Sequence, residues 1–107
     1  MKIITVCGSL KFEKELKFWA EKLTLAGNCV LSIIPPTKDV TSYTQMQRES
    51  FAKAHRKRID LSDAVFVVNK NGYIGKNTKS EIEYAEAQGK EVILLEDDND
   101  QKICRLD

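Results

Sequence analysis

Glu81 is the residue around which chemistry is most easily built in this sequence. The segment Gly72-Tyr-Ile-Gly-Lys-Asn-Thr-Lys-Ser-Glu-Ile-Glu-Tyr-Ala85 runs from the end of an apolar strand pattern into the start of a helical one. In an open parallel α/β sheet, ligands bind at such strand-to-helix junctions. A carboxylate placed there can attack an electrophilic carbon, or it can serve the helix. Thr78-Lys-Ser-Glu81 has the capping-box spacing, in which a threonine N-cap and a glutamate three residues on satisfy each other's backbone donors. The loop before it, with Tyr73 and Gly75, is rich in Gly and Asn and lets a ligand approach the backbone closely. A helix N-terminus also favours an ionised carboxylate.

Other candidates surround this segment. Gly8-Ser9 ends the first apolar run and opens a helix, so backbone N–H groups and a hydroxyl are offered to a phosphate or sugar, or Ser9 acts as a helix N-cap. The pair is far weaker than a full glycine-rich phosphate loop. His55 shares a helical face with Phe51 and Ile59 and leans toward the sheet, either as a packed core residue or as a group for proton transfer or a sugar hydroxyl. Cys7 and Cys29 lie in apolar runs and read as small buried hydrophobes, with His55 the only imidazole that could activate Cys7. Three widely spaced cysteines and one histidine give no metal-ligand spacing, so no metal and no cofactor is expected. Asp60 and Asp63 read as residues that shape the turn into a strand.

The elements that must position these residues follow from hydrophobic period. Short apolar runs at Ile3–Cys7, Cys29–Ile34, Ala64–Asn69 and Glu91–Leu95 alternate with helical patterns, the signature of βαβ units around a parallel sheet. The first helix carries Phe12, Leu16, Trp19, Ala20 and Leu23 on one face and stops at Gly27-Asn28. Pro35-Pro36 closes the second strand, and the polar segment Thr37–Tyr43 reads as a loop placed to cover a site. A second helix from about Thr44 to Leu61 carries Met46, Phe51, Ala54, His55 and Ile59 inward, and a third spans Asn77–Gln88 with Gly89 as its stop. Asp97–Asp100 reads as an acidic turn, and Ile103–Leu106 as a short edge strand or docked tail. The expectation is one domain over residues 1–107: a three-layer, flavodoxin-like or Rossmann-like open parallel sheet of four to five strands, ordered roughly 2-1-3-4, with helices on both faces.

Composition narrows the function. A chain of 107 residues with a net charge of +1 and interspersed signs has no electrostatic footprint for a nucleic acid polymer or an anionic membrane. It has neither signal-peptide sections nor an apolar run near the roughly 18 residues of a membrane span, and reads as soluble and cytoplasmic.

Val6-Cys-Gly-Ser9, Ile59-Asp-Leu-Ser-Asp-Ala-Val-Phe-Val-Val-Asn69, Gly75-Lys-Asn-Thr-Lys-Ser-Glu-Ile-Glu-Tyr-Ala85 and Gly89-Lys-Glu-Val-Ile93 together resemble the nucleoside 2-deoxyribosyltransferase-like superfamily, which includes 2'-deoxynucleoside 5'-phosphate N-hydrolases. The resemblance implies Glu81 as a nucleophile, with Cys7, Gly8 and Ser9 beside the sugar or its 5'-phosphate. It also implies a small nucleoside or nucleotide substrate and a homodimer or higher homo-oligomer. The chain departs from the family where it has His55 in place of an acidic residue, and Gly75 in place of an acidic or hydroxyl residue six positions before the nucleophile. Asn69 and Tyr73 are then the candidates for substrate hydrogen bonds, beside Thr78. A nucleotide or ADP-ribose-type binding module and a flavodoxin-like interaction scaffold are the competing readings.

Overall fold

Ala64–Val68 is apolar and buried at all five positions, which suits a strand covered on both faces. In the computed structural model, which describes residues 1–96, it is the third of four parallel strands. These are β1 (Ile3–Gly8), β2 (Cys29–Ser32), β3 (Ala64–Val68) and β4 (Glu91–Leu94), in the order β2-β1-β3-β4. The helices are α1 (Glu13–Leu25), α2 (Gln45–Leu61) and α3 (Lys76–Ala87), with 3-10 turns at Leu10–Phe12, Val40–Ser42 and Lys70–Gly72. The architecture is the expected α/β one with the expected strand order. The acidic turn at Asp97–Asp100, the strand or tail at Ile103–Leu106, and Cys104 lie outside the described residues.

The period of two along each strand divides the core. Ile4 and Val6 of β1 and Ala64, Phe66 and Val68 of β3 form one cluster with Leu16, against which Phe12, Trp19, Ala20 and Leu23 pack. This is the face covered by α1, and the helical spacing of those five side chains is what buries them. The Trp19 and Phe66 rings stack there with centroids 5.3 Å apart. On the opposite face Cys7, Val65, Val67 and Val92 meet Ile59 of α2 and Ala85 of α3. The register Cys7 against Val67 and Val67 against Leu94 sets the height of this second layer.

Two aspartates tie the elements together: Asp63 shapes the turn into β3 as expected, whereas the Asp60 side chain bonds across to α3 instead. Asp63 accepts the Ile3 N–H at 2.8 Å on its carboxylate, while its own N–H donates to the Ile3 carbonyl at 2.8 Å, locking β1 to the entry of β3. The Tyr84 hydroxyl donates to Asp60 at 2.6 Å and so pins α3 against α2.

Four local expectations are corrected. The capping box is at Thr44, not Thr78: the Gln47 N–H donates to the Thr44 hydroxyl at 3.1 Å, and the Thr44 N–H donates to the Gln47 side chain at 2.9 Å. Helix α3 starts earlier than expected, with Gly75 as an N-cap that offers no side chain, so Thr78 is buried inside the first turn and cannot cap. Met46, Phe51 and Ala54 are exposed, Met46 at 77%, because α2 lies across the sheet with only His55 and Ile59 fully covered. Cys29 is exposed as well, since it begins β2, the edge strand, whereas Cys7 on the interior strand β1 is buried. Ser9 does cap, but it caps the 3-10 turn that leads into α1, accepting the Lys11 N–H at 3.3 Å.

Candidate functional site

Strand period aims Thr5 and Cys7 at the layer shared by α2 and α3. Helix α2 descends toward the start of β3, so its buried residue nearer the C-terminal sheet edge is His55, one turn above Ile59. Helix α3 descends from the same edge, and Glu81, its sixth residue, reaches the same level. Three residues far apart in sequence therefore converge. Cys7 Sγ lies 3.4 Å from His55 Nε2, His55 Nε2 lies 3.5 Å from Glu81 Oε1, and all three atoms fall within 4.8 Å of one another.

The hydrogen-bond wiring assigns their protons. Arg58 Nη1 is 3.3 Å from His55 Nδ1, and a guanidinium only donates, so Nδ1 accepts and the ring proton sits on Nε2, facing Cys7 and Glu81. Burial, helped by the Arg58 charge, lowers the His55 pKa to about 4, which leaves the imidazole neutral near pH 7. Burial raises the Cys7 thiol well above its ordinary value, and the neighbouring Glu81 charge adds to that, so the thiol remains protonated beside Glu81. Burial also pushes Glu81 up to about 7, with the Cys7 hydrogen bond pulling the other way.

The expectation that the helix end keeps Glu81 ionised is thus corrected. Glu81 lies beyond the first turn, where the helix field is concentrated, and desolvation wins. Its approach to His55, at 3.5 Å, is a contact with a neutral imidazole rather than an ion pair.

Glu81 keeps an outlet: its side chain is 21% exposed, against 3% for His55, and it faces a groove of about 700 Å³. One wall is a stripe of α3 at helical spacing, Asn77, Ser80, Glu81 and Tyr84. The other is a stripe of α2 that includes Gln45, Arg48, Ala52, His55 and Arg56. Ile33, Ile34 and Pro36 after β2, Val40 of the following loop, Phe51 and Leu10 supply apolar lining. Helical spacing from Glu81 alone finds Asn77 and Tyr84, and Ser80 follows from its own spacing to those two. No sequence signal marks Leu10 or Arg48 as groove residues.

The remaining expected site residues have other partners. A Cβ on Gly8 would stand 3.0 Å from Leu16 Cδ2 and 3.1 Å from the Val68 carbonyl, so this glycine permits close packing of α1 on β3. The Asn69 side chain clasps the Glu96 backbone, donating to its carbonyl at 2.7 Å and accepting its N–H at 2.8 Å. Tyr73 packs edge-on against Phe12 with centroids 5.8 Å apart, and Lys11 Nζ lies 3.5 Å from its ring centre. A Cβ on Gly75 would meet Tyr73 Oη at an ordinary 3.5 Å, so there is room for a side chain. Of the expected residues the structure brings Cys7, His55 and Glu81 together, and only His55 and Glu81 line the groove. Gly8, Ser9, Asn69, Tyr73, Gly75 and Thr78 are not part of its wall.

Among the described residues no helix is long and apolar enough to cross a membrane. No family model matches the sequence, and no curated protein matches it. A solved structure, that of a conserved protein from Enterococcus faecalis V583, superposes with a TM-score of 0.61 over 99% of this chain and 74% of that one, at 20% identity. At that identity the likeness is one of fold, and it agrees with the parallel α/β sheet described above.

Proposed function

We propose that the chain is an N-glycosidase or deoxyribosyltransferase acting on a small nucleoside or nucleotide, with Glu81 as nucleophile. The observation that supports this reading most is Glu81 itself: a carboxylate in the groove wall, at the ligand-binding edge of a parallel sheet, steadied by Cys7 and His55. The sequence resemblance supplies the bond to be cleaved.

In the first step a Glu81 carboxylate oxygen bonds to the anomeric carbon as the carbon–nitrogen bond breaks through an oxocarbenium-like transition state. The bonding pair leaves with the base, which takes a proton from solvent. In the second step water attacks the same carbon, the Glu81 ester bond breaks, and the water proton passes to solvent. A second base in place of water gives transfer. His55 and Cys7 flank the carboxylate and give up no proton. In this reading the protein is cytoplasmic and works as a homodimer or higher oligomer.

The test is incubation with deoxynucleosides, ribonucleosides and their 5'-monophosphates, followed by chromatography for free base. Base release that disappears in Glu81→Gln supports the reading, and turnover of none of these compounds overturns it. The competing reading, a nucleotide-binding module without chemistry, draws on Gly75, which leaves the start of α3 without the acidic or hydroxyl group of the resembled family. It predicts saturable binding that survives Glu81→Gln and no free base.

A further inference from the structure

We propose that Cys7, His55 and Glu81 also form a binding site for a soft divalent metal ion such as Zn²⁺. Their chemistry is a thiol, an imidazole and a carboxyl, the donor types zinc takes, and they come from three different elements onto one point. Two of the three donor separations are those of coordination. Donors about 2.0–2.3 Å from a tetrahedral zinc stand about 3.4–3.6 Å from each other. The observed separations are 3.4 Å from sulfur to nitrogen and 3.5 Å from nitrogen to oxygen, and sulfur and oxygen lie within 4.8 Å, a gap that a rotation of the Glu81 side chain closes around an ion. Cys7 and His55 are buried at 1% and 3% exposure, so the donors are already held by the core rather than gathered by the ion. A thiolate and a carboxylate balance the charge of the ion. The groove beside Glu81 leaves a fourth position for water or a ligand atom, the open arrangement of three-ligand zinc sites.

Loading the ion has two local requirements. The Cys7 thiol must release its proton to the buffer when sulfur coordinates. His55 must move its proton from Nε2 to Nδ1, where Arg58 now donates at 3.3 Å. A coordinating imidazole wants an acceptor on its far nitrogen, and Arg58 is a donor. Arg58 therefore acts against the metal and has to swing outward, which its partly exposed position permits. Metal binding and nucleophilic attack compete for the Glu81 oxygens, so a loaded chain is silent toward glycosidic bonds. That consequence rests on the function proposed above; the site itself does not.

The test is titration of the metal-free protein with Co²⁺, followed by absorbance without any nucleotide present. One equivalent is expected to give strong visible bands of tetrahedral cobalt together with a near-ultraviolet thiolate-to-cobalt charge-transfer band. Cys7→Ser should abolish the charge-transfer band, and Glu81→Gln, which preserves the shape of the side chain, should weaken binding at least about tenfold. Cys29→Ser should change nothing. Arg58→Gln, whose side-chain carbonyl can accept the Nδ1 proton, should tighten binding by about tenfold or more. Absence of the tetrahedral bands at equimolar cobalt overturns the proposal, as do bands that survive unchanged in both Cys7→Ser and Glu81→Gln. Because no turnover is measured, loss of the glycosidase reading would leave this result standing, and the reverse.

Discussion

The two faces of the sheet use the same strands for different ends. Under α1, the inward positions of β1 and β3 are Ile4, Val6, Ala64, Phe66 and Val68, and the helix answers with Leu16 and Trp19. Under α2 and α3, the intervening positions include Thr5 and Cys7, and the helices bring His55, Thr78 and Glu81. Among the described residues, every buried polar residue except Asn69 belongs to strand β1's second face or to α2, α3 and the turn after α2. The buried cluster of the first face, among the described residues, is made of apolar side chains alone. The second accepts desolvated polar groups, which are costly unless satisfied, and in return holds a carboxyl whose pKa lies near neutrality. Burial fixes one side and functional groups are concentrated on the other.

The sharpest way to separate the faces is Glu81→Gln. Base release is expected to fall by at least about 10³-fold, as removal of a nucleophile does, while thermal stability at pH 8 holds or rises because a buried charge has been removed. A loss of activity that simply follows unfolding would erase the distinction between the faces.

The next largest effect belongs to the other side. Phe66→Ala, at a position only 4% exposed and stacked on Trp19, should cost about 3–5 kcal/mol in urea unfolding. Turnover per folded molecule should be unchanged, and a specific loss of turnover would show that the α1 face takes part in the chemistry.

Proton linkage sharpens the contrast further. Glu81 is raised from 4.5 to about 7 on folding, so its contribution to stability is full below 4.5 and is lost as pH rises through 7. His55 is lowered from 6.5 to about 4, so its contribution is full above 6.5 and is lost as pH falls through 4. The two windows overlap between pH 4.5 and 6.5 and oppose each other there, so stability should run nearly level across that range and decline by less than about 1 kcal/mol between pH 6.5 and 8. Glu81→Gln should flatten the alkaline decline; an unchanged slope would locate the linkage elsewhere. With a chelator present, the rate should rise with pH through about 7 as the carboxylate forms.

The smallest effects lie at the helix starts. Thr44→Ala removes an observed capping box and should cost about 1 kcal/mol. Thr78→Ala removes no cap, and its cost should come from lost packing alone. Gly75→Ser adds a capping hydroxyl where a Cβ fits, and should gain a few tenths of a kcal/mol. Calorimetric melting of the three variants reads these differences.

Much of this arrangement is legible in the residues. Five consecutive apolar positions from Ala64 identify an interior strand, the helical spacing of Leu16, Trp19 and Leu23 identifies its cover, and right-handed crossovers restrict the order. Glu81 and His55 stand out by type and place. Their meeting with Cys7 does not, because it depends on the register of β1 with β3 and on how α2 and α3 are rotated about their axes, and no spacing within one segment encodes either. The cap of α3 is hidden for a simpler reason: Gly75 has no side chain to announce it, whereas Thr78-x-x-Glu81 has capping-box spacing although it lies inside the helix. Met46 has the same spacing as a core residue and lies exposed, since apolar period shows which face is apolar and not whether anything covers it.

The central claim is that Glu81 attacks the sugar, and acid quenching during the first turnover tests it most directly. Mixing the protein with a deoxynucleoside 5'-monophosphate that it turns over, quenching within that turnover and mapping the peptides by mass is expected to find the sugar phosphate esterified to the peptide containing Glu81. Base release with that peptide unmodified, or with the adduct on another residue, would contradict the account.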